Sequence, residues 1–288
     1  MLTLATLAAV ALLQGPDFSW SGSLAAGKEL TIKNVIGDIR VEGASGGRVE
    51  ITAVKRAGRR GDPDDVTIRR VETSRGVELC VIYPNNDDRG DDCDFDRGGR
   101  GNRNRDRSRR RDENDTRVAF TVRLPHGVNL QASTVSGDVQ ATSLRGLVNV
   151  ATVSGEILVR DAAGTLVEAT SVSGDVQLVN IRADQVAAET VSGDVEYQGE
   201  IRPRGEYDFQ TLSGDVVLRV PRGLGAEISA STFSGSIRSS FEITTREDRR
   251  SRWTNSRRLT GTIGDGGAQL RLQSFSGSVE LLEMGGRN

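Results

Sequence analysis

One short phrase recurs seven times between residues 130 and 280, and it constrains the fold more than any other feature of the chain. Each copy is an apolar residue, Ser, Gly, usually an acid, and then Val or Ile, as in Val135-Ser136-Gly137-Asp138-Val139. The repeat glycines are separated by 18, 19, 19, 21, 21 and 42 residues, and we interpret the last interval as two repeats. A nearly constant period of about 20 residues predicts a repeat architecture.

Alignment of the copies on the glycine predicts which side chains face the interior. Two residues after the glycine the sequence always has Val or Ile, and seven residues before it there is a large apolar residue in every copy, from Leu130 to Leu270. Intervening residues such as Gln131 and Asn149 are mostly polar. This alternation with period two is typical of a strand with one solvated face. Each repeat is therefore predicted to be a strand, a corner and a second strand.

A β-hairpin is the alternative to a corner, because Gly at the first loop position suits a two-residue type II′ turn. In a hairpin, the residue two before Gly would pair on one face with the residue three after it. These two positions disagree, since the first holds residues such as Val135 and Phe233 and the second residues such as Gln140 and Arg238. A corner avoids the conflict and lets rungs stack in parallel about 4.8 Å apart. We therefore favour an all-β fold, a parallel β-helix or solenoid with rungs of about 20 residues.

The corner residues are predicted to have structural roles. Gly supplies a positive φ, and the following Asp accepts hydrogen bonds from backbone N–H groups that the bend leaves free. We expect the Thr or Ser three residues before each Gly to form an internal ladder of hydroxyl groups. The predicted turn residues are Gly37, Gly137, Asp138, Gly155, Gly174, Asp175, Gly193, Asp194, Gly214, Asp215, Gly235 and Gly277.

An earlier copy of the phrase, Val35-Ile36-Gly37-Asp38-Ile39, predicts that the solenoid begins near residue 28. We expect residues 17–288 to form a single solenoid domain, because each rung contacts only its neighbours. Further strands are predicted at about 48–56, 66–73, 76–83 and 117–124. Residues 17–28 and the strand around Trp253 are candidate caps, because solenoid ends expose unpaired strand edges.

Two charged segments interrupt the repeats, an insertion at 85–116 and a loop at 244–256. The insertion has six acids and one Arg in 85–96, then eight Arg and one Asp in 97–111. Such a composition cannot bury enough apolar surface to offset its ordering entropy, so we expect a mobile polyampholyte loop. The adjacent acids, the net charge of −2 and the lack of interleaved aromatic residues argue against a nucleic-acid partner.

The first 16 residues are predicted to be a signal segment. Leu2 to Leu13 is a mostly apolar stretch of the right length for the core of a secretory signal and too short for a transmembrane anchor. No Lys or Arg precedes it and no clean Ala-x-Ala site follows it, so a buried or frayed N-terminus is the alternative. Export would place the protein outside the cytoplasm, in the periplasm, on the cell surface or in the medium.

Cys80 and Cys93 are the only cysteines, and in an oxidising compartment they are expected to form one disulfide bond. Free thiols are the alternative. With His126 as the only histidine, soft ligands for a structural zinc site are too few. The acids that follow the repeat glycines offer Ca²⁺ a row of carboxylates, but the repeat lacks the glycine-rich nonapeptide of calcium-binding β-rolls. We therefore predict no cofactor, with Ca²⁺ as the alternative.

No arrangement of a nucleophile and a base indicates catalysis. Enzymes of the parallel β-helix class that act on polysaccharides use carboxylates on an exposed sheet face, so Asp208, Glu189 and Glu168 are eligible in principle. The small polar residues at the other outward positions favour a scaffold instead.

The chain resembles the bacterial putative-adhesin family, a group of β-strand-repeat domains of unknown function on exported and envelope proteins. The residues that carry the resemblance are the phrase at Thr134–Val139 and Thr190–Val195, the segment Arg123–Val128 and the early copy at Val35–Ile39. It covers nearly everything after residue 28. It implies a right-handed single-chain β-solenoid with an adhesive or envelope role and no catalytic residues.

The sequence therefore leads to three hypotheses about function. The first is a non-enzymatic exported β-solenoid, an adhesin or scaffold whose partner is a protein, a glycan or a component of the cell envelope. The second is a polysaccharide-acting β-helix enzyme, and the third is an accessory of envelope stress response or signalling. The ligand and the oligomeric state are not specified by the sequence.

Overall fold

A computed structural model describes residues 16–83, 114–245 and 257–284. These residues form 22 β-strands and one 3₁₀ turn at Pro63–Asp65, with no α-helix among them. The strands are β1 (Phe18–Gly22), β2 (Glu29–Lys33), β3 (Ile39–Ala44), β4 (Val49–Arg56), β5 (Thr67–Glu72), β6 (Gly76–Ile82), β7 (Arg117–Pro125), β8 (Asn129–Ser136), β9 (Val139–Thr142), β10 (Val148–Ser154), β11 (Ile157–Arg160), β12 (Ala163–Ser173), β13 (Val176–Ser192), β14 (Val195–Gly199), β15 (Glu206–Ser213), β16 (Val216–Val220), β17 (Ala226–Ser234), β18 (Ile237–Ser239), β19 (Thr244–Thr245), β20 (Arg257–Ile263), β21 (Ala268–Ser276) and β22 (Val279–Glu283).

The strands lie in two sheets, and each rung of the solenoid contributes one strand to each sheet. β8, for example, lies in the sheet that we call sheet B and turns at Gly137 into β9, which lies in sheet A. The long strand β13 belongs to both sheets and changes from one to the other near an irregularity between Val179 and Ile181. Sheet B has the order β5-β6-β2-β8-β10-β12-β13-β15-β21-β17-β20-β19. Sheet A has the order β1-β4-β7-β3-β9-β11-β13-β14-β16-β22-β18.

The register confirms the predicted β-solenoid. Leu130 pairs with Val148 and Val148 with Val167, so residues seven before each corner glycine lie directly above one another. The residues two after the glycine stack in the same way in sheet A, as Ile157 does between Val139 and Val176. Both sets of side chains are buried, except Ile237, which is partly buried, and they form one continuous core between the two sheets.

The order of the rungs in space differs from their order in the sequence at both ends. The rung formed by β21 and β22 lies between the β15–β16 rung and the β17–β18 rung. The interpretation of the 42-residue interval as two rungs is therefore wrong, because the chain between Gly235 and Gly277 forms the antiparallel strand β20 instead of a second corner. At the other end, the β2–β3 rung lies between the β6–β7 rung and the β8–β9 rung, so the rung that is first in sequence is an inner one.

Antiparallel strands cover one end of the stack in both sheets and the other end in sheet B. β1 and β4 complete sheet A beyond β7, and β5 completes sheet B beyond β6. At the far end, β20 and β19 lie beyond β17 in sheet B. Of the two candidate caps, residues 17–28 therefore include the outermost strand of sheet A, whereas Trp253 lies outside the described residues. Because these closing strands run in the opposite direction, they interrupt the parallel strand edge to which a strand of another chain could otherwise pair.

Most of the two charged segments and residues 1–15 also lie outside the described residues. The predicted bounds of the insertion are wrong at the end, because residues 114–116 pack against the chain near residue 60. Asp115 accepts hydrogen bonds from the backbone N–H groups of Arg59 and Arg60 at 2.9 and 3.0 Å. The hydrogen bond from the Arg60 N–H is the largest cause that lowers the pKa of the Asp115 carboxyl group, and the bond from Arg59 lowers it further. Thr116 is fully buried.

The corner glycines are required by close contact between successive rungs. At Gly193, φ is +150°, and an added Cβ would overlap the carbonyl oxygen of Gly174 in the rung below. The same overlap with the glycine of the neighbouring rung occurs at Gly137, Gly155, Gly174, Gly214, Gly235 and Gly277. The spacing of the backbone therefore excludes every side chain at this position.

We predict that Gly193→Ala lowers the free energy of unfolding by roughly 3–5 kcal/mol, because it adds backbone strain and a clash that only a shift of the rung can relieve. Two control variants separate these effects. Gly223→Ala has a positive φ of 81° in open space and should cost about 1–2 kcal/mol, whereas Gly46→Ala, which is also in open space, should stay within about 0.5 kcal/mol. Urea unfolding measures all three, and equal losses for Gly193→Ala and Gly223→Ala would contradict the steric argument.

All three tyrosines of the chain are partly or fully buried. Tyr197 and Tyr207 have no exposed surface and meet edge to face, with ring centroids 6.0 Å apart. Their hydroxyl groups donate to the carbonyl oxygens of Glu200 and Ala183 at 2.8 and 2.9 Å. Burial raises the pKa of Tyr197 and Tyr207, and it raises the pKa of Tyr83 to about 12.

The tyrosines should make the fold sensitive to alkali. Between pH 10 and about 12 the unfolded chain loses phenolic protons that the folded chain keeps, so the unfolded state binds fewer protons and stability falls as pH rises. Spectrophotometric titration should show no phenolate near pH 10 in the native protein and three ionisations near pH 10 in urea. An ordinary titration of the folded protein near pH 10 would contradict this prediction.

Candidate interaction surface

The Thr and Ser residues three before each corner glycine connect adjacent rungs. Their side chains are buried and stack in an internal column, as predicted, and each hydroxyl group donates to a backbone carbonyl oxygen of the adjacent rung, a partner that the sequence did not specify. Thr190 donates to the carbonyl oxygen of Gly174 at 3.0 Å, and Thr211 donates to that of Gly193 at 2.9 Å. The same bond forms at Thr134, Thr152, Ser171, Thr232 and Ser274. Each hydroxyl group therefore satisfies a carbonyl oxygen that the corner turns away from the sheets.

The acids after the corner glycines make a second connection between rungs. Oδ1 of Asp175 accepts a hydrogen bond from the backbone N–H of Asp194 at 2.9 Å, and Oδ1 of Asp194 accepts one from Asp215 at 2.8 Å. Asp38, Asp138 and Asp215 accept the equivalent bond. The carboxylates thus bind backbone N–H groups at the bend, as the sequence predicts, and the N–H belongs to the adjacent rung.

We predict that Thr190→Val destabilises the protein by about 1–2 kcal/mol, because it keeps the shape of the side chain and leaves the buried carbonyl oxygen of Gly174 without its hydroxyl donor. Thr170→Val, on the outer side of the neighbouring strand, is the matched control and should change stability by no more than about 0.5 kcal/mol. Thermal or urea unfolding compares the stability of the two variants. Equal losses would contradict a stabilising role for the hydrogen bond of the Thr190 hydroxyl group.

A row of apolar side chains lies on the outside of the solenoid, one residue per rung, two residues before each corner glycine. We call this row the apolar file. Its members are 39% to 52% exposed, although each belongs to an apolar residue type. In spatial order they are Val135, Val153, Val172, Val191, Leu212, Phe275 and Phe233. At a rung spacing of about 4.8 Å, six intervals make the file about 29 Å long.

The apolar file is the feature that our sequence interpretation missed. The sequence showed these residues as a column, but we used the column only to argue against a hairpin. Residues seven, five and three before the glycine face inward, so the alternation of a strand directs the residue two before it outward. This alternation of inward and outward residues was the signal in the sequence that could have placed the file on the outside. On its outer flank the file is bordered by a row of exposed serines, Ser136, Ser154, Ser173, Ser192, Ser213, Ser276 and Ser234.

The two ends of this surface differ in chemistry. Along its first five rungs, the apolar file runs beside what we call the acid file. The acid file consists of Asp38, Asp138, Glu156, Asp175, Asp194 and Asp215, and it begins one rung before the apolar file, at Asp38. Ser278 and Ser236 replace the acid in the last two rungs, where their hydroxyl oxygens lie 3.2 Å apart. These two rungs also carry Phe275 and Phe233, whose rings are stacked in parallel planes with centroids 4.8 Å apart. The surface therefore runs from aliphatic and anionic to aromatic and neutral.

A groove follows the apolar file at its aromatic end. One wall consists of the file from Val191 to Phe233, and the other includes Glu189, Gln210, Gln273 and Arg258. Apolar groups on one side and amide, carboxylate and guanidinium groups on the other could contact a partner with mixed polarity.

The three carboxylates considered for catalysis lie on the outer face of sheet B. Glu168 accepts a hydrogen bond from Asn149 at 2.7 Å, and Asp208 accepts from Gln210 at 2.8 Å and Arg271 at 3.0 Å. Glu189 lies in the wall of the groove. Glu168 and Asp208 are two rungs apart, and each is already bound by neighbouring side chains.

Cys80 is fully buried in β6 and is disulfide-bonded. Its predicted partner Cys93 lies outside the described residues, so the Cys80–Cys93 pairing stays a prediction. Within residues 16–83, 114–245 and 257–284, no group of three or more His, Cys, Asp or Glu side chains could hold a metal ion. Over the same residues, no helix has the length and apolar character needed to cross a membrane.

These features define a parallel β-solenoid of two sheets, with a structural corner in each rung and an apolar file on its outer face. The chain belongs to the Toastrack DUF4097 family, a domain of unknown function whose family model matches residues 109–282. This membership confirms the predicted resemblance to a family of β-strand-repeat domains. No curated protein matches the chain in sequence.

Solved structures to which the chain is similar include a putative cell adhesion protein from Clostridium sporogenes, at 10% identity and a TM-score of 0.37, which matches 93% of this chain and 99% of that one. A putative adhesin from Bacteroides fragilis has 11% identity and a TM-score of 0.40 over 93% of this chain and 96% of that one. A putative adhesin from Parabacteroides distasonis has 12% identity and a TM-score of 0.33 over 92% and 96%.

Proposed function

We propose that this protein is a non-enzymatic contact protein that acts outside the cytoplasm and binds a partner through the outer face of sheet B. The observation that carries the proposal is the apolar file, in which seven apolar side chains stay about half exposed in adjacent rungs. Monomeric soluble proteins rarely expose a contiguous apolar patch of more than a few hundred Å², and larger patches mark interaction sites. The partner classes that suit this surface are a protein, a glycan or a component of the cell envelope.

The chemistry of the surface supports binding in preference to catalysis. Five of the six corner carboxylates, all but Glu156, accept hydrogen bonds from backbone N–H groups, and Glu168 and Asp208 are bound by neighbouring side chains. A polysaccharide-cleaving site needs a pair of carboxyl groups that are free to exchange protons with the substrate. The groove beside Phe233 and Phe275 offers contact surface with only one free carboxylate candidate, Glu189.

Two features support export. The apolar stretch from Leu2 to Leu13 has the composition of a signal segment. Cys80 is disulfide-bonded, and disulfide bonds persist mainly in oxidising compartments.

The proposal is tested by a binding screen of the purified protein against glycans, cell-envelope fractions and whole cells. The double variant Leu212→Ser/Phe275→Ser should weaken the binding that the screen detects at least 10-fold, because both changes remove exposed apolar contact area. Deletion of residues 87–113 should leave that binding intact.

Val54→Ser is the matched control, since Val54 is 38% exposed on sheet A, away from the apolar file. It should bind as the unchanged protein does. Retained binding in the double variant, with its fold verified by circular dichroism, would place the function on another part of the molecule.

A further inference from the structure

We propose that the apolar file is the contact between two copies of this chain, which associate side by side, in the same direction and with their rungs in register. The inference rests on the proposed function and names its partner as a second copy, so that adhesion would be homophilic. Three properties of the file support it: its area, its spacing and the charges beside it.

The area of the file suits a dimer interface. Seven side chains that are each roughly half exposed offer on the order of 500 Å² of apolar surface. The neighbouring row of seven serines adds neutral polar surface of similar length. Together they approach the roughly 800 Å² per partner that a specific protein interface buries.

The spacing of the file favours a second solenoid over other partners. Its side chains repeat at the rung spacing, about 4.8 Å, whereas successive turns of a helix are about 5.4 Å apart and outward residues of a strand about 6.8 Å apart. A helix or a single strand along the file would therefore drift out of register within a few rungs. A second copy repeats at the same spacing throughout, so its side chains can meet those of the first at every one of the seven rungs.

The acid file determines the relative direction of the two copies. Within the described residues, its one ion pair joins Asp38 to Arg40 at 3.8 Å, and none of the other five acids forms an ion pair there. If one copy were turned end for end, the two-fold axis would place the two acid files against each other. Copies that point in the same direction hold their acid files on opposite flanks of the interface. Like-charge repulsion therefore selects the parallel arrangement, and it also opposes an anionic membrane as the occupant.

The association is tested by analytical ultracentrifugation of the full chain. We expect a concentration-dependent dimer whose dissociation constant rises at least about 100-fold in Leu212→Ser/Phe275→Ser and stays unchanged in Val54→Ser. In a parallel, in-register dimer each file residue faces its own copy. Val135→Cys and Phe275→Cys should therefore each form cross-linked dimers when oxidised separately, and Val54→Cys should not.

The possible outcomes separate this inference from the proposed function. Cross-linking only in a mixture of Val135→Cys with Phe233→Cys, the two ends of the file, or a dimer insensitive to Leu212→Ser/Phe275→Ser, would overturn the arrangement. A chain that stays monomeric while the double variant still loses glycan or envelope binding would overturn the self-association and leave the contact function standing. A monomer whose double variant binds every probe as the unchanged protein does would overturn both.

Discussion

The whole solenoid depends on the contact between successive corners, where one backbone lies on the next with no room for a side chain between them. The glycine of each rung meets the carbonyl oxygen of the glycine below, and that oxygen receives the hydroxyl group of a Thr or Ser. Beside it, a carboxylate binds the N–H of the adjacent rung. These three interactions hold neighbouring corners at a fixed distance, and the strands that leave each corner pair in register as a result.

Because this contact is local and repeats in every rung, the sequence predicts it well. The inward residues from Leu130 to Leu270, the corner glycines and the binding of backbone N–H groups by Asp all follow from columns of one short phrase. The acceptor of the buried hydroxyl groups did not follow from the sequence, because the column shows that Thr190 lies above Ser171 without showing that a carbonyl oxygen is within hydrogen-bond distance. The apolar file was visible as a column too. The alternation of inward and outward residues along the strand could have placed it on the outer face of the solenoid.

The order of the rungs could not be predicted, for a physical reason. The inward-facing residues of β17 and β21 follow the same pattern, so either strand fits as the neighbour of β15. The local sequence does not specify which of the two pairs with it. The choice depends on β20, which turns back along β17 and closes one of its edges. Such a closing strand has no corner phrase, and its antiparallel direction is a property of the whole chain path. The same applies at the other end, where β4 and β5 close the stack.

The interleaving of the terminal rungs also limits how a protein of this kind can change in length. Only from β8 to β16 do neighbours in the sequence coincide with neighbours in space. Duplication of a rung there would add a layer and leave every other pairing intact, whereas a rung appended after β22 would follow strands β21 and β22, each of which already has a neighbour on both sides. We therefore expect longer and shorter relatives to differ by whole rungs in the middle of the chain, with both ends conserved as closing units.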